Sequence, residues 1–182
     1  MSSTAPGGAP DQPLAMRWSL GRVAIVVAVL AIVGFWAWIF AGGPKRTNPD
    51  RLSDREFVTR TASRCQGLRD DLAALPNAVD AASAAGRREG LERATTRVAR
   101  FVDEVAADAP ASGGEARSVD GWVRDWRRYV ADRRDYAARL GRDPAARFYV
   151  SKSPLGDSVD RTIEVFADVN DMPACATPGD VG

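Results

Sequence analysis

A long apolar segment near the N-terminus constrains this chain more than any other feature. From Val23 to Ala41 all nineteen residues are apolar or glycine, with Arg22 before them and Lys45 after them. As an α-helix the segment would be about 28 Å long, close to the hydrocarbon thickness of a bilayer. A soluble domain of this size can hardly bury a helix that is apolar on every side. We therefore predict a transmembrane helix over residues 19–42 rather than a buried core helix.

The residues that flank this helix are typical of a membrane interface. Trp18 lies at one end, and Trp36 and Trp38 lie near the other, followed by Lys45 and Arg46. Amphipathic indole rings favour the headgroup layer, and cations favour the water beyond it. These five residues are the predicted interface anchors.

A cleaved signal peptide is the alternative interpretation of the apolar segment. The segment is longer than the usual h-region of about 7–15 residues. Cleavage after Ala41 would also place Ile39 where a signal peptidase needs a small residue. We therefore expect an uncleaved signal-anchor, and a single-pass protein in the cell membrane. The excess of Ala and Arg suggests a high-GC coding bias and carries no functional weight.

The orientation of the anchor is predicted from two opposing signals. Four cations closely follow the span and two precede it, which by itself would favour a cytoplasmic C-terminal domain. Long domains, however, translocate with little regard for charge, and the two cysteines described below favour an oxidising compartment. We expect a cytoplasmic N-terminus and an extracytoplasmic C-terminal domain.

Composition divides the rest of the chain. Residues 1–18 are expected to be a disordered tail, 43–52 a Gly/Pro-broken stalk, 53–176 a helical domain, and 177–182 a loose C-terminal tail. The stalk would reach at most about 35 Å, so the domain is expected to act close to the bilayer.

Hydrophobic periodicity predicts four amphipathic helices in the domain. They are a helix over Ser53–Leu75 with a Ser53/Glu56 capping box, one that is weak over 78–86 and firm from Arg88 to Pro110, one over Ser118–Gly141, and one over Asp157–Asn170. Residues 148–150 are expected to form a connection. The predicted fold is all-α: one transmembrane helix followed by an antiparallel four-helix bundle.

Charge supports pairing of the last two helices. Residues 122–147 contain eight Arg against four Asp, whereas residues 153–182 contain six acidic residues against one Arg. Exposed ion pairs each contribute only about 0–1 kcal/mol, so this opposition is expected to set the arrangement more than the stability.

Cys65 and Cys175 are the only cysteines, and they bracket almost the whole domain. In an exported domain such a pair is usually a structural disulfide. The alternative is two unconnected buried thiols. A redox role is disfavoured because the chain has neither a Cys-x-x-Cys motif nor a histidine.

One stripe of the third helix is aromatic. Its members share one helix face and are Trp122, Trp126, Tyr129, Arg133 and Tyr136. Core packing is the ordinary explanation. The alternative is a groove for an apolar ligand, a carbohydrate or a partner helix. Within the fold, Arg133 is expected to stack on Tyr129 or pair with an acid of the last helix; the alternative for this cation is binding of an anion.

Composition excludes several kinds of chemistry. The chain has no histidine, which removes the imidazole base, Ser-His-Asp triads and His-bearing metal sites, and two cysteines cannot form a four-thiolate site. A net charge of +1 provides no field for nucleic acid. The Arg pairs 127/128 and 133/134 could suggest anionic lipid binding, but the interleaved acids favour a solvated face. We predict no catalytic residue, no metal and no cofactor.

The sequence therefore favours an interaction role. We predict an accessory, scaffold or sensor-like subunit that binds the bilayer through its anchor and another membrane or envelope protein through its domain. The alternatives are a small-ligand module and a carboxylate-dependent hydrolase. Ala24-x-x-x-Ala28 and Ala37-x-x-x-Ala41 would also allow a homodimer through the transmembrane helix.

Overall fold

The chain is all-helical, as predicted. The computed structural model describes residues 20–40, 48–154 and 156–181, which contain five α-helices and no β-strand. Within them an isolated bridge pairs Lys152 with Ser158. The chain divides into two compact units between residues 46 and 47.

The first unit contains helix α1, Leu20–Phe40, which lies within the predicted transmembrane range. It is the one helix among the described residues that is long and apolar enough to cross a membrane. Its 21 residues span about 31 Å, and none of them is buried. The rings of Trp36 and Trp38 are exposed, whereas the predicted anchors Trp18, Lys45 and Arg46 lie outside the described residues.

The second unit contains the other four α-helices. They are α2 (Arg55–Ala73), α3 (Ala84–Ala107), α4 (Gly113–Leu140) and α5 (Val159–Val169). Short 3₁₀ turns cover Ala78–Asp80 before α3 and Pro173–Cys175 after α5. Residues 148–150 form a connection, as predicted, with Phe148 packed on the core and Tyr149 exposed.

The start of α2 differs from the predicted capping box. Asp54, not Ser53, caps the helix: its Oδ1 accepts the N–H of Phe57 at 2.9 Å. The backbone N–H and the hydroxyl of Ser53 both donate to the Glu115 carboxylate of α4 instead. A charged acceptor on a neighbouring helix thus binds Ser53, and Asp54 takes over the cap one residue later.

The starts of α3 and α4 also differ from prediction. Ser83 caps α3 by accepting the Gly86 N–H at 3.1 Å, so the Ala-rich stretch enters the helix earlier than its weak periodicity indicated. Helix α4 begins at Gly113, which has φ = 92°, rather than near Ser118. The glycines expected to separate the helices belong to the first turn of α4 because glycine readily adopts the positive φ at the entry.

Helix α4 packs against both α3 and α5, and its partners run antiparallel to it. Along α3, Thr95 contacts Arg133 and Phe101 contacts Trp126. As the residue numbers of the contacts rise along α3 they fall along α4, so the two helices are antiparallel. The contacts with α5 follow the same rule and are Asp125 with Thr162 and Trp122 with Phe166. Helix α2 packs antiparallel to α3 through Arg64 with Asp108 and Arg97 with Asp71.

The C-terminal segment is held against the domain rather than loose. Thr177 donates to Glu164 at 3.1 Å, and the Pro178 carbonyl accepts from the Tyr129 hydroxyl at 3.1 Å. Asp180 pairs with Arg133, and Val181 packs on a small apolar cluster at the end of α4. Sequence reasoning missed this because the contacts are long-range and leave no periodic pattern.

Candidate functional site

The aromatic stripe of α4 forms part of the core. All five of its members are buried; Trp126 is 1% exposed and Arg133 is 0% exposed. The rings pack edge to face, with centroids 6.2 Å apart for Trp122 and Trp126 and 5.9 Å apart for Trp126 and Tyr129. This geometry is favourable for aromatic pairs. The face proposed as a ligand groove is therefore filled by the protein's own side chains.

Arg133 is a buried cation with a complete set of partners. Its Nε donates to Thr95 Oγ1 at 3.1 Å, and its two terminal nitrogens donate to the two Asp180 oxygens, at 2.6 Å for Nη2. Its guanidinium carbon also lies 5.7 Å from the Tyr129 ring centre. The expected stacking on Tyr129 is present, but the acid comes from the C-terminal segment and not from α5.

Burial and charge act in opposite directions on this pair of side chains. Burial disfavours the charged form of Arg133, but hydrogen bonds and charge from Asp180 outweigh it and raise the pKa of the guanidinium. Burial raises the pKa of the Tyr129 hydroxyl. Both groups therefore keep one protonation state at neutral pH, which is typical of a structural network rather than of an acid–base pair.

The two cysteines meet in the structure. Cys65 of α2 and Cys175 of the last 3₁₀ turn have Cα atoms 5.0 Å apart and Sγ atoms within bonding distance, and each residue is 1% exposed. This separation falls in the normal range for a disulfide. The pair joins the middle of α2 to the segment that follows α5.

An open cleft of about 750 Å³ lies between α4 and α5. We call it the α4–α5 cleft. It is bordered by residues of both helices, by residues 49 and 50 ahead of α2, and by the segment that precedes α5. The principal residues are Asp50, Arg117, Gly121, Trp122, Arg124, Asp125, Ser153, Asp157, Arg161, Thr162, Val165 and Phe166. Most of its wall therefore comes from two packed helices.

Three aspartates and three arginines line this cleft; two of the aspartates have internal partners, whereas among the arginines Arg161 alone has one, Glu164 at 3.9 Å, among the described residues. Asp50 accepts from the Ser118 hydroxyl at 3.0 Å, and Asp125 accepts from the Thr162 hydroxyl at 2.8 Å. Arg117 and Arg124, in contrast, have no hydrogen-bond or ion-pair partner among the described residues. The cleft therefore offers guanidinium donors that the fold itself does not use.

Two glycines lie beside these arginines on the cleft side of α4. A Cβ placed on Gly121 would meet only Arg124 Nη2, at 3.8 Å, and one on Gly114 would meet only Arg117 Nη2, at 4.0 Å. No other part of the described chain packs over them. Sequence reasoning missed this site, although Gly-x-x-Arg recurs seven residues apart at 114–117 and 121–124.

Two acidic groups outside the cleft, Asp108 and Glu115, have lowered pKa values. Hydrogen bonds from Arg64 and Arg60 lower the pKa of Asp108, and hydrogen bonds from Ser53 lower that of Glu115. A general acid needs a raised pKa, which these carboxylates lack. Within the described ranges, no three His, Cys, Asp or Glu residues are grouped so as to hold a metal ion.

Comparison with known proteins adds no family to this picture. Neither the protein-family models, nor the curated proteins, nor the solved structures contain a match to the chain.

Proposed function

We propose that this chain is a single-pass membrane-anchored protein whose extracytoplasmic helical domain binds another membrane or envelope protein. In this proposal α1 is the anchor and the domain serves as an accessory, scaffold or sensor-like subunit. Helices α2 to α5 form an antiparallel four-helix bundle, for which the pairwise antiparallel contacts of α4 with its two neighbours, and of α2 with α3, provide support.

The observation that carries the proposal is the exposure of a long helix that is apolar or glycine at every position except Arg22. All 21 residues of α1 are exposed, and its large hydrophobic side chains include Leu30 at 63% and Ile32 at 58% exposure. A contiguous apolar surface of this extent is unfavourable in water and marks a membrane or protein contact. A length of about 31 Å matches the hydrocarbon core.

The cysteine pair supports the extracytoplasmic side. Thiols held within bonding distance persist as a disulfide in oxidising compartments and are kept reduced in the cytosol. The predicted orientation, with the N-terminus in the cytoplasm, places the pair where it can oxidise.

Binding rather than catalysis is supported by the character of the polar groups. The best-organised polar network, around Arg133, is buried and satisfied internally. The exposed polar surface includes the α4–α5 cleft, whose arginines are arranged to contact charge rather than to transfer protons, because guanidinium groups stay protonated.

The distribution of lysine allows a direct test of topology. The chain has two lysines, Lys45 and Lys152, and both follow α1; Lys152 is exposed. We expect a membrane-impermeant amine reagent, applied to intact cells, to modify Lys152, as detected by mass spectrometry. Lys152→Arg is the matched control and removes that adduct.

The contrary result is equally distinct. If the reagent modifies Lys152 only after the cells are lysed, the domain is cytoplasmic. If the protein appears in the soluble fraction, the anchor itself is excluded.

A further inference from the structure

We infer that the α4–α5 cleft binds an acidic amphipathic helix of the partner protein. This inference rests on the proposed interaction function and identifies the site of that interaction. The cleft has three features that suit such a helix. Two arginines without internal partners lie one heptad apart, a glycine between them leaves the surface of α4 open, and apolar side chains border the cleft.

The first feature is the pair Arg117 and Arg124. They lie seven residues apart on α4, a separation of about 10.5 Å along the helix axis. Neither has a partner among the described residues, so each can donate two parallel hydrogen bonds to a carboxylate. Acidic residues seven apart on a second helix have the same axial separation, and one helix can therefore engage both arginines.

The second feature is Gly121, which lies between the two arginines. A glycine in a helix interior is destabilising by about 1 kcal/mol relative to alanine. Here nothing but the Arg124 side chain comes within 4 Å of the position its Cβ would take, so packing within the domain does not require it. An open glycine beside two arginines that have no internal partner leaves room for close approach of an external backbone, as where helices pack through small residues.

The third feature is an apolar wall formed by α5 together with Trp122 of α4. Val165 is 41% exposed, and it borders the cleft together with Phe166 and Trp122. Ser153, which also lines the cleft, has a buried hydroxyl without a hydrogen-bond partner among the described residues. An apolar residue of the bound helix, placed between its two acids, would pack against this wall.

The aspartates of the cleft determine where the charged residues of the bound segment would lie. Asp50 and Asp125 already accept hydroxyl protons, whereas the Asp157 side chain has no partner among the described residues. The segment is therefore expected to carry a basic residue toward Asp157 and its acids toward Arg117 and Arg124. Charge complementarity of this kind sets the register of an interface.

The test is photocrosslinking in the full-length protein in its own membrane. A benzoylphenylalanine replaces Val165 in the cleft, and in a control it replaces Val79, which is 50% exposed and lies outside the cleft. Mass spectrometry then identifies the attached peptide. We expect the Val165 adduct to be a protein segment with two carboxylates seven residues apart.

Matched charge reversals accompany this experiment. Arg117→Glu with Arg124→Glu should lower the adduct yield about tenfold or more. Arg127→Glu with Arg134→Glu makes the same change at the same spacing on exposed residues of α4 outside the cleft and should leave the yield unchanged. Gly121→Ala should raise the melting temperature and yet lower the yield, a split that a purely structural glycine would not give.

Three outcomes would overturn the cleft inference. In the first, the double variant Arg117→Glu with Arg124→Glu gives the same adduct yield as the wild type. In the second, the adduct at Val165 contains a lipid or a non-acidic protein segment. In the third, no adduct forms at Val165. Protein adducts at Val79 alone would support the interaction function but would show that the partner binds outside the α4–α5 cleft. Failure at both positions, with no protein that co-purifies in mild detergent, would count against the interaction function itself.

Discussion

Arg133 shows how one residue can be recognised from sequence and yet be assigned the wrong surroundings. Its place on the aromatic stripe follows from helical spacing, and its stacking on Tyr129 was expected. Its acid partner, Asp180, is 47 residues away in a segment expected to be loose. No periodic pattern reports such a contact, since it depends on where the chain returns after α5.

This pairing leads to a prediction for Asp180→Asn. Removing the carboxylate leaves a fully buried guanidinium without a counter-charge, which should lower the free energy of unfolding by about 3 kcal/mol. Urea denaturation followed by tryptophan fluorescence would measure the change.

The control for this prediction is the double variant Arg133→Met with Asp180→Asn. An apolar side chain of similar length removes the stranded charge, and most of the lost stability should return. If Asp180→Asn alone behaves like the wild type, the pair does not neutralise a buried charge.

At the scale of the helices, sequence reasoning found all four elements of the domain but misplaced several boundaries. The apolar faces were correct because periodicity reports burial, and Val98, Val119 and Ile163 are fully buried. The starts were wrong where a tertiary contact decided the cap. Ser53 does not cap α2 because it donates hydrogen bonds to Glu115 of α4.

Two helix-interior glycines should respond oppositely to alanine. A Cβ on Gly90 of α3 would lie 2.9 Å from the Ala78 Cβ and 3.1 Å from its Cα. Gly90→Ala should therefore destabilise the domain by about 1–3 kcal/mol through overpacking. Gly67→Ala in α2 meets nothing within 4 Å and should stabilise it by about 0.5–1 kcal/mol.

Melting temperatures of the two purified variants would check this pair. A rise in melting temperature for both substitutions would show that helix propensity decides and that Ala78 moves to accommodate the added methyl group, whereas a fall for Gly67→Ala would contradict the predicted stabilisation.

At the scale of the whole molecule, the sequence predicted an all-helical chain with an apolar first helix. It also predicted that Cys65 lies close to Cys175. These features follow from composition and spacing. The α4–α5 cleft was not predicted, because its shape depends on the angle and distance between two helices. The Gly-x-x-Arg spacing of Gly121 and Arg124 is visible in the sequence, but that they border a cleft with α5 is not.

The cysteine pair closes a sequence separation of 110 residues. Its reduction should lower the free energy of unfolding by about 4–5 kcal/mol, because the unfolded chain regains the entropy of an open loop. Urea titrations with and without reductant would show this, and the variant Cys65→Ser with Cys175→Ser should be insensitive to reductant. Equal midpoints for the wild type in both titrations would contradict it.

The same closure determines what a protease can release. The connections at 74–83, 108–112 and 141–158 all lie between Cys65 and Cys175. With the bond closed, one cut in any of them leaves two fragments that migrate together until the disulfide is reduced. In the proposed topology, shedding of the domain would therefore need a cut between α1 and Cys65, which makes the predicted stalk the position at which a protease would control its release.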